Sequence, residues 1–310
     1  MKLSVVTTLY NTSDCLKDFL DKVSQLHTQS ALSSYELILV DDGSTEAQYS
    51  KARSISASYQ NIKLIRLSRN FGHHQALLEG LQQASGDLIF LIDSDLEEDP
   101  LDFSLLYSKM IQTNADLVYG FQENRRGGIW ERVSGKLFYF LLNKLMRVEI
   151  PENMLTSRLM SRRYLDALLL HTETQINFSG LSSITGFNQT KIPLKKVRLR
   201  KTSYSFSKKV SILIDAITSF SSSPLKLIFV TGVVIFTASA IVTLSLFIEW
   251  INDGNPTSGW ASLILSIWFL GGLNMLSLGV IGVYISKIFM ETKRRPRVII
   301  SEVFSTRESR

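Results

Sequence analysis

The chain has 310 residues, a formal net charge of +6 at pH 7 and 45% hydrophobic residues. This length allows one large core or a domain with an appendage, and both the apolar content and the positive charge exceed the average of soluble proteins. A single cysteine, Cys15, excludes an internal disulfide framework and a Cys/His metal cluster, which favours a reducing cytosolic setting. Residues 1–9 have no signal-peptide pattern, so the N-terminus is expected to be cytoplasmic.

The first half of the chain alternates apolar runs with amphipathic segments. Period-2 and continuous apolar runs predict strands at Leu3–Leu9, Tyr35–Val40, Lys63–Leu67 and Leu88–Ile92. Period-3.6 patterns predict helices at Ser13–His27, Gln75–Ala84 and Leu101–Thr113. Strands separated by helices pair in parallel, carry helices on both faces and leave a ligand crevice at their carboxyl ends. The sequence therefore predicts a Rossmann-like α/β domain with a mostly parallel sheet.

The fourth predicted strand ends in an acidic motif. Asp93 and Asp95 lie on one side of a two-residue period, where the strand gives way to a loop. Two carboxylates aimed together repel one another unless a cation lies between them, and hard oxygen ligands suit Mg²⁺ or Mn²⁺, which in turn would hold the phosphates of a nucleotide. An isolated Asp-x-Asp is more often only an acidic turn, so the neighbouring motifs decide its meaning.

Polar residues also follow the first two predicted strands. Tyr10 and Asn11 follow one, and Asp41 and Asp42 end the other, so all three clusters are expected in one cleft. Either aspartate would accept hydrogen bonds from a ribose or a base, although Asp-Asp-Gly-Ser is also good turn chemistry. The chain has no Gly-x-Gly-x-x-Gly after the first strand and no Gly-Lys-Ser/Thr loop, which disfavours a dinucleotide oxidoreductase and a phosphate-loop NTPase.

Three arginines are candidates for binding a phosphate. Arg126, Arg132 and Arg158 carry guanidinium groups that bind phosphate bidentately, either on an acceptor or on a leaving diphosphate. A solvated basic surface is an equal alternative for each of them. His73, His74 and His171 have no ligand-like partners in the sequence and are interpreted as polar loop or helix residues.

The C-terminal third has the features of a membrane anchor. Leu225–Trp250 and Ala261–Phe289 each exceed the roughly 20 apolar residues that a bilayer core requires. Lys and Arg flank the pair on its outer sides and are missing from the linker between them. By the positive-inside rule this predicts a two-helix transmembrane hairpin, with the catalytic domain and both termini in the cytoplasm.

The segments before the hairpin are basic. Lys195–Lys201 alternates charged and apolar residues, as in an edge strand whose charged face lies against anionic lipid headgroups. Residues 201–224 are predicted to form an amphipathic interfacial segment, with packing on the globular domain as the alternative. The predicted domains are therefore 1–200 (catalytic), 201–224 (interfacial), 225–290 (two membrane helices) and 291–310 (cytoplasmic tail).

Five motifs in order give the chain a family resemblance. They are Leu9-Tyr10-Asn11, Asp41-Asp42-Gly43-Ser44, Arg69-Asn70-Phe71-Gly72-His73, Asp93-Ser94-Asp95-Leu96 and Arg158-Leu159-Met160-Ser161-Arg162. With the tail from Phe269 to Pro296, they resemble family 2 glycosyltransferases of the polyprenyl-phosphate subgroup, which includes dolichol-phosphate mannose synthases and bactoprenol glucosyltransferases. The resemblance implies a GT-A fold, a nucleotide-sugar donor bound through Mg²⁺ or Mn²⁺, and inversion of the anomeric centre.

The resemblance also implies roles for individual residues. Nucleotide contacts are expected from Leu9, Tyr10, Asn11, Asp41, Asp42, Asn70, Phe71, Gly72, His73, Asp93 and Ser94. The expected metal ligands are Asp93, Asp95 and Glu97, and the expected catalytic residues are Asp93, Asp95 and Arg158. The chain departs from the pattern at Thr12, Thr156, Val283 and in Glu97-Glu98-Asp99-Pro100, which is one residue longer than usual. These departures leave the donor sugar open.

The implied function is sugar transfer to a polyprenyl (undecaprenyl) phosphate at the cytoplasmic face of the inner membrane, for cell-surface glycan synthesis or modification. The alternatives are a glycan or lipid-linked saccharide acceptor, with Glu98 or Asp99 as the base, and a non-catalytic nucleotide-sugar-binding subunit. The expected partners are the donor, the lipid, the membrane, a flippase and further copies of the chain, but no nucleic acid. Arg297–Ile300 is expected to form a strand that pairs with a neighbouring copy in a tetramer.

Overall fold

The apolar run at the N-terminus forms a central strand of a mixed sheet in the computed structural model, which describes residues 1–29, 33–122, 153–173, 178–197, 218, 221–253 and 259–306. Eight strands make up this sheet among the described residues. They are β1 (Lys2–Leu9), β2 (Ser34–Asp41), β3 (Ile62–Leu67), β4 (Leu88–Leu91), β5 (Leu117–Phe121), β6 (Met154–Ser161), β7 (Gln189–Pro193) and β8 (Ile300–Ser305).

The strands lie in the order β7-β5-β6-β4-β1-β2-β3-β8. Four of the seven pairings are parallel, namely β1 with β2, β1 with β4, β2 with β3, and β5 with β7. The pairings of β4 with β6, β5 with β6 and β3 with β8 are antiparallel. The predicted mostly parallel α/β sheet is confirmed, and β6 inserts into it with the opposite direction.

Helices cover both faces of the sheet. They are α1 (Ser13–Gln29), α2 (Glu46–Ser56), α3 (His73–Gln82), α4 (Phe103–Thr113), α5 (Arg162–Leu169) and α6 (Phe178–Ile184), with a short 3-10 helix at Pro100–Asp102. The alternation of the strands sends Val5 into the core under α1, α2 and α4, and Val6 into the core under α3, α5 and α6. The result is a three-layer arrangement with the carboxyl ends of β1, β2 and β4 at one edge.

The seven predicted strands and helices of the first half are all present, within a few residues at each end. Helices α2, α5 and α6 and strands β5, β6 and β7 were not predicted. Only Tyr49, Ala52 and Ser56 of α2 are fully buried, so its apolar stripe is too sparse to stand out in the sequence.

The apolar C-terminal residues form a second unit, separate from the sheet unit. It contains α7 (Ser223–Asp253) and α8 (Trp260–Thr292). Among the described residues, one helical stretch, Ser266–Thr292, is long and apolar enough to cross a membrane, while the apolar stretch in α7, Ser223–Ser239, is shorter. One candidate span is therefore supported, and the two-helix hairpin stays a prediction. Most of the predicted interfacial segment lies outside the described residues.

The strand near the C-terminus lies a few residues later than predicted, and its pairing with a neighbouring copy stays a prediction. The strand occupies Ile300–Ser305 rather than Arg297–Ile300, and it pairs antiparallel with β3 of the same chain. Arg53 Nη1 of α2 donates to Glu302 Oε1 at 2.7 Å and joins β8 to that helix. Without β8 the β3 edge would expose unpaired backbone groups, which explains why the chain's own tail covers it. The tetramer itself stays a prediction.

We expect Gly80→Ala to lower the thermal unfolding midpoint of the protein in detergent. A Cβ on Gly80 would lie 2.6 Å from Val6 Cγ1 and 3.0 Å from Val40 Cγ2, because α3 packs directly on β1 and β2. Overpacking of this kind costs about 1–3 kcal/mol, which outweighs the gain in helix propensity of up to about 1 kcal/mol. Gln82→Ala, on the exposed side of α3, is the control; equal midpoints for the two variants would contradict the packing argument.

Candidate active site

The loops after β1 and β2 are joined by hydrogen bonds. Asn11 N donates to Ser44 Oγ at 2.9 Å, and Asn11 Oδ1 accepts from Thr45 N at 3.2 Å. Asp42 N donates to the carbonyl of Leu9 at 2.9 Å. The side chain of Leu9 is buried in the core, whereas Tyr10 is 52% exposed at the edge of the sheet. The predicted meeting of these loops is confirmed, with the side chain of Tyr10 exposed and that of Leu9 in the core.

Asp42 holds the turn that precedes α3. Its Oδ1 accepts from Phe71 N at 2.7 Å and its Oδ2 from Gly72 N at 3.0 Å. The turn approaches so closely that a Cβ on Gly43 would lie 2.3 Å from the carbonyl carbon of Arg69. Gly43 also has φ +71°, a region that glycine adopts without strain. Asp42 therefore positions the predicted nucleotide-binding turn, with both of its oxygens already accepting a hydrogen bond.

Asp41 has the role of a turn residue. Its carboxylate is 1% exposed, accepts from Ser44 N at 3.3 Å and lies 4.0 Å from Arg66 Nε. Burial raises the pKa of Asp41. These contacts support the turn-forming alternative for Asp41.

Asp93 lies next to the first residue of α3. His73 Nδ1 lies 3.1 Å from Thr8 Oγ1, and His73 Nε2 lies 3.5 Å from Asp93 Oδ1. Ser94 is buried and donates to the carbonyl of Thr8 at 2.8 Å. Asp93 Oδ1 is buried, yet among the described residues no hydrogen bond reaches it. A buried carboxylate oxygen that accepts no hydrogen bond is costly, so this atom, with His73 Nε2 beyond hydrogen-bond contact, has the environment of a ligand to a cation.

The loop after Asp93 folds back on itself. Glu97 N donates to Asp95 Oδ1 at 3.0 Å, and the residue between them, Leu96, has φ +60°. Burial raises the pKa of Asp95, and the charges of Asp93 and Glu97 add to the rise. In the described part of the chain no group of three His, Cys, Asp or Glu side chains is assembled to hold an ion. Glu97 as a third ligand therefore stays a prediction.

Arg158 is buried with one nitrogen unsatisfied. Its Nε donates to the carbonyl of Thr156 at 3.0 Å and its Nη2 to that of Leu155 at 2.9 Å, while the guanidinium carbon lies 4.7 Å from the Phe178 ring centroid. Its Nη1 is buried and has no acceptor among the described residues. This nitrogen is available for an anion. Arg126 and Arg132 lie outside the described residues.

Residues 4–169 match the family model described as Glycosyl transferase family 2. A chain named among putative glycosyltransferases of Mycobacterium tuberculosis (strain CDC 1551 / Oshkosh) is 41% identical over 99% of this chain and 89% of its own length. The chain belongs to glycosyl transferase family 2.

Two further relatives of this glycosyltransferase bear on the subgroup. The prophage bactoprenol glucosyl transferase homolog of Escherichia coli (strain K12) is 33% identical over 98% of this chain and 99% of its own length. The bactoprenol glucosyl transferase of Shigella phage SfV is 32% identical over 97% and 98%, respectively. The predicted family resemblance, including the polyprenyl-phosphate subgroup, is thereby confirmed.

Glu98 is a structural residue of this glycosyltransferase that the sequence did not single out for that role. It is 1% exposed, and its Oε1 and Oε2 accept from Thr156 N at 3.2 Å and Ser157 N at 2.6 Å. Burial raises the pKa of Glu98 to about 7, with a further contribution from the charge of Asp93. Glu98 fastens the acidic loop to β6 just before Arg158.

Lys196 is a second residue whose environment differs from the expectation. Lys195–Lys201 was predicted to be an edge strand on lipid headgroups, but the described residues 195–197 are not in a strand. Lys196 Nζ instead lies 3.1 Å from Glu97 Oε2 and 3.6 Å from Glu98 Oε1. Two nearby carboxylates attract the ammonium group more strongly than a screened lipid surface would.

We expect Glu98→Gln to flatten the pH dependence of stability in this glycosyltransferase. With a pKa of about 7 in the folded protein and 4.5 as its reference value, Glu98 keeps its proton in the folded state after the unfolded chain has lost it. The wild type therefore loses stability relative to the variant as pH rises from the reference value to about 7, by about 3 kcal/mol at most.

Thermal melts in detergent at about pH 5 and about pH 8 measure this difference. The unfolding midpoint of Glu98→Gln relative to that of the wild type should be higher at about pH 8 than at about pH 5. Glu46→Gln removes an exposed carboxylate and is the control. A gap that stays constant with pH would contradict the assignment to Glu98.

Proposed function

We propose that this protein transfers a sugar from a nucleotide diphosphate-sugar to a polyprenyl (undecaprenyl) phosphate, with inversion, at the cytoplasmic face of the membrane. Family membership, relatives named bactoprenol glucosyl transferase and a helix able to span a bilayer support the proposal. The observation that carries it is a pair of unsatisfied buried atoms, Asp93 Oδ1 and Arg158 Nη1, on side chains that interact electrostatically. A divalent cation would suit Asp93 Oδ1, and a phosphate oxygen would suit Arg158 Nη1.

The donor site is formed by the carboxyl ends of β1, β2 and β4. Asp93 and Asp95 would supply hard oxygen ligands for Mg²⁺ or Mn²⁺, and Asp93 Oδ1, which accepts no hydrogen bond from the described residues, fits that use. When bound, the ion would neutralise charge on the departing diphosphate. Tyr10, Asn11 and the turn held by Asp42 would contact the nucleoside, with the exposed Tyr10 ring offering a stacking surface.

The acceptor is the point at which the candidate functions differ. A phosphate monoester has a second pKa of about 6, so it is largely ionised at neutral pH and attacks without a base. Its oxygen would form a bond to the anomeric carbon while the bond from that carbon to the donor diphosphate breaks, which inverts the centre and releases the nucleoside diphosphate. Arg158 Nη1 would donate to a phosphate oxygen of the donor or of the acceptor.

A saccharide hydroxyl would need a base, and the two carboxylates considered for that role are engaged elsewhere. Both oxygens of Glu98 accept backbone hydrogen bonds. Asp99 Oδ1 accepts from Leu101 N at 3.2 Å and lies 3.1 Å from Lys22 Nζ. This favours the phosphate over a glycan acceptor. The intact Asp93 and Asp95 weigh against a non-catalytic binding subunit.

Lipid extraction tests the proposed acceptor. Membranes containing the protein are incubated with a panel of radiolabelled nucleotide-sugars, and the products are separated into lipid and aqueous fractions. We expect one donor to label a lipid whose formation requires added undecaprenyl phosphate. Label that enters a saccharide without an intermediate lipid would favour the glycan acceptor, and no transfer or hydrolysis of any donor would favour the binding subunit.

We expect Asp95→Asn to reduce transfer by several orders of magnitude without unfolding the protein. Loss of one ligand charge removes stabilisation of the leaving diphosphate, an effect typically worth several kcal/mol. Asp99→Asn is a matched control, because it removes the same charge four residues later while asparagine retains the capping acceptor. Full activity of Asp95→Asn, or of the wild type in excess chelator, would refute the metal assignment. Loss of activity in Asp99→Asn would revive the hydroxyl acceptor.

Cysteine labelling tests the predicted membrane topology. In a Cys15→Ser background, Asn255→Cys should react with an impermeant thiol reagent added to intact cells, and Ser301→Cys should react only after permeabilisation. Ser301 lies in β8 of the sheet unit, so its labelling reports the side on which that unit lies. The opposite pattern would separate the site from cytosolic nucleotide-sugars and refute the assigned membrane face.

A further inference from the structure

Residues 196 and 197 lie directly against the acidic loop. Val197 N donates to the carbonyl of Glu97 at 2.8 Å. Lys196 Nζ lies 3.1 Å from Glu97 Oε2 and 3.6 Å from Glu98 Oε1, and its side chain is 25% exposed. We call Lys196, Glu97 and Glu98 the carboxylate clasp. One backbone bond and two ion pairs therefore fix this segment to the loop that carries Asp95.

The clasp is anchored on its other side by β6. Glu98 accepts from the amides of Thr156 and Ser157, next to Arg158. Lys196 is therefore held as a cation between the acidic loop and the strand that carries Arg158.

The charge of Lys196 also acts on the predicted metal ligands. Four carboxylates occur within six residues, at positions 93, 95, 97 and 98. Lys196 interacts electrostatically with Asp93 and Asp95 as well as with its two direct partners. A positive charge held beside these carboxylates both relieves the repulsion among them and opposes the entry of another cation.

We propose that Lys196 is a positioning residue that serves as the resident counter-cation of the acidic loop and weakens the binding of a free divalent ion there. This inference rests on the proposed function, in which Asp93 and Asp95 hold that ion. Because Lys196 keeps the carboxylates together without a metal, the loop retains its form before the donor arrives. The ion then binds well only with the donor diphosphate, whose negative charge offsets that of the ammonium group.

The proposal predicts that removal of the lysine strengthens metal binding, whereas damage to the loop would weaken it. Full-length protein in detergent is titrated with Mn²⁺ in the absence of any nucleotide, and the free ion is measured by electron paramagnetic resonance. We expect Lys196→Met to bind Mn²⁺ about three- to tenfold more tightly than the wild type, a modest factor because the side chain is partly solvated.

Three further variants isolate the charge. Lys196→Gln removes the charge but keeps a hydrogen-bond donor, so it should also bind Mn²⁺ more tightly; it provides the same test if Lys196→Met does not fold. Lys196→Arg keeps the charge and should match the wild type. Lys195→Met is the matched control, because Lys195 is the exposed neighbour and carries the same charge. Its Mn²⁺ affinity should stay within about twofold of the wild type.

Unchanged or weaker Mn²⁺ binding in both Lys196→Met and Lys196→Gln would overturn the proposal, as would equal tightening in Lys195→Met. The lipid-labelling assay of the wild type distinguishes this failure from failure of the proposed function. If labelled lipid forms and Lys196 has no effect on Mn²⁺ affinity, only the counter-cation role is wrong. If no labelled lipid forms, the assigned reaction is wrong, whatever the Mn²⁺ titrations give.

Discussion

The structure of the site depends on how negative charge is accommodated at one edge of the sheet. Seven carboxylates lie at the end of β2 and in the loops after β2 and β4, namely Asp41, Asp42, Asp93, Asp95, Glu97, Glu98 and Asp99. Burial penalises the ionised form of those that are shielded from solvent. Asp42 and Glu98 are stabilised by two backbone amides each, Asp41 by Ser44 and Arg66, and Glu97 by Lys196. Asp93 retains a buried oxygen that no hydrogen bond reaches within the described residues. Among the described residues, the negative charge of Asp93 is therefore not fully compensated at its Oδ1, and a bound cation would compensate it.

This distribution separates residues that build the site from residues that act in it. A carboxylate with both oxygens on backbone amides is fixed in place and fixes its partners, as Asp42 does for the turn before α3 and Glu98 does for the start of β6. Only Asp93, among the aspartates with a described environment, combines burial with an unsatisfied oxygen. The sequence motifs alone predict the same nucleotide-binding role for Asp42 and Asp93. Their hydrogen bonds differ, and indicate that Asp42 positions a turn whereas Asp93 is available to a ligand.

Local patterns predicted the strands and helices that present a continuous apolar face, such as β4 and α1, because burial imposes their periodicity. Helix α2 was not predicted, because only three of its residues are buried and they leave a weak periodic pattern. The acidic motif after β4 and the meeting of three loops followed from parallel topology. Glu98 and Lys196 were not predictable as partners, since they are far apart in the chain and their contact depends on the path of residues 194–197. Long-range ion pairs leave no local pattern in one sequence.

Strand β6 carries the positively charged Arg158 to this edge of the sheet. The register of β6 against β4 determines on which face of the sheet Arg158 lies. In the antiparallel pairing with β4, Arg158 lies opposite Leu91, two residues before Asp93. Because side chains alternate across a sheet, a shift of one residue would turn Arg158 to the other face and break its contact with Phe178. Glu98 holds the amides of Thr156 and Ser157 and so helps to fix that register. The same buried carboxylate therefore adds negative charge near the site and keeps the compensating guanidinium in place.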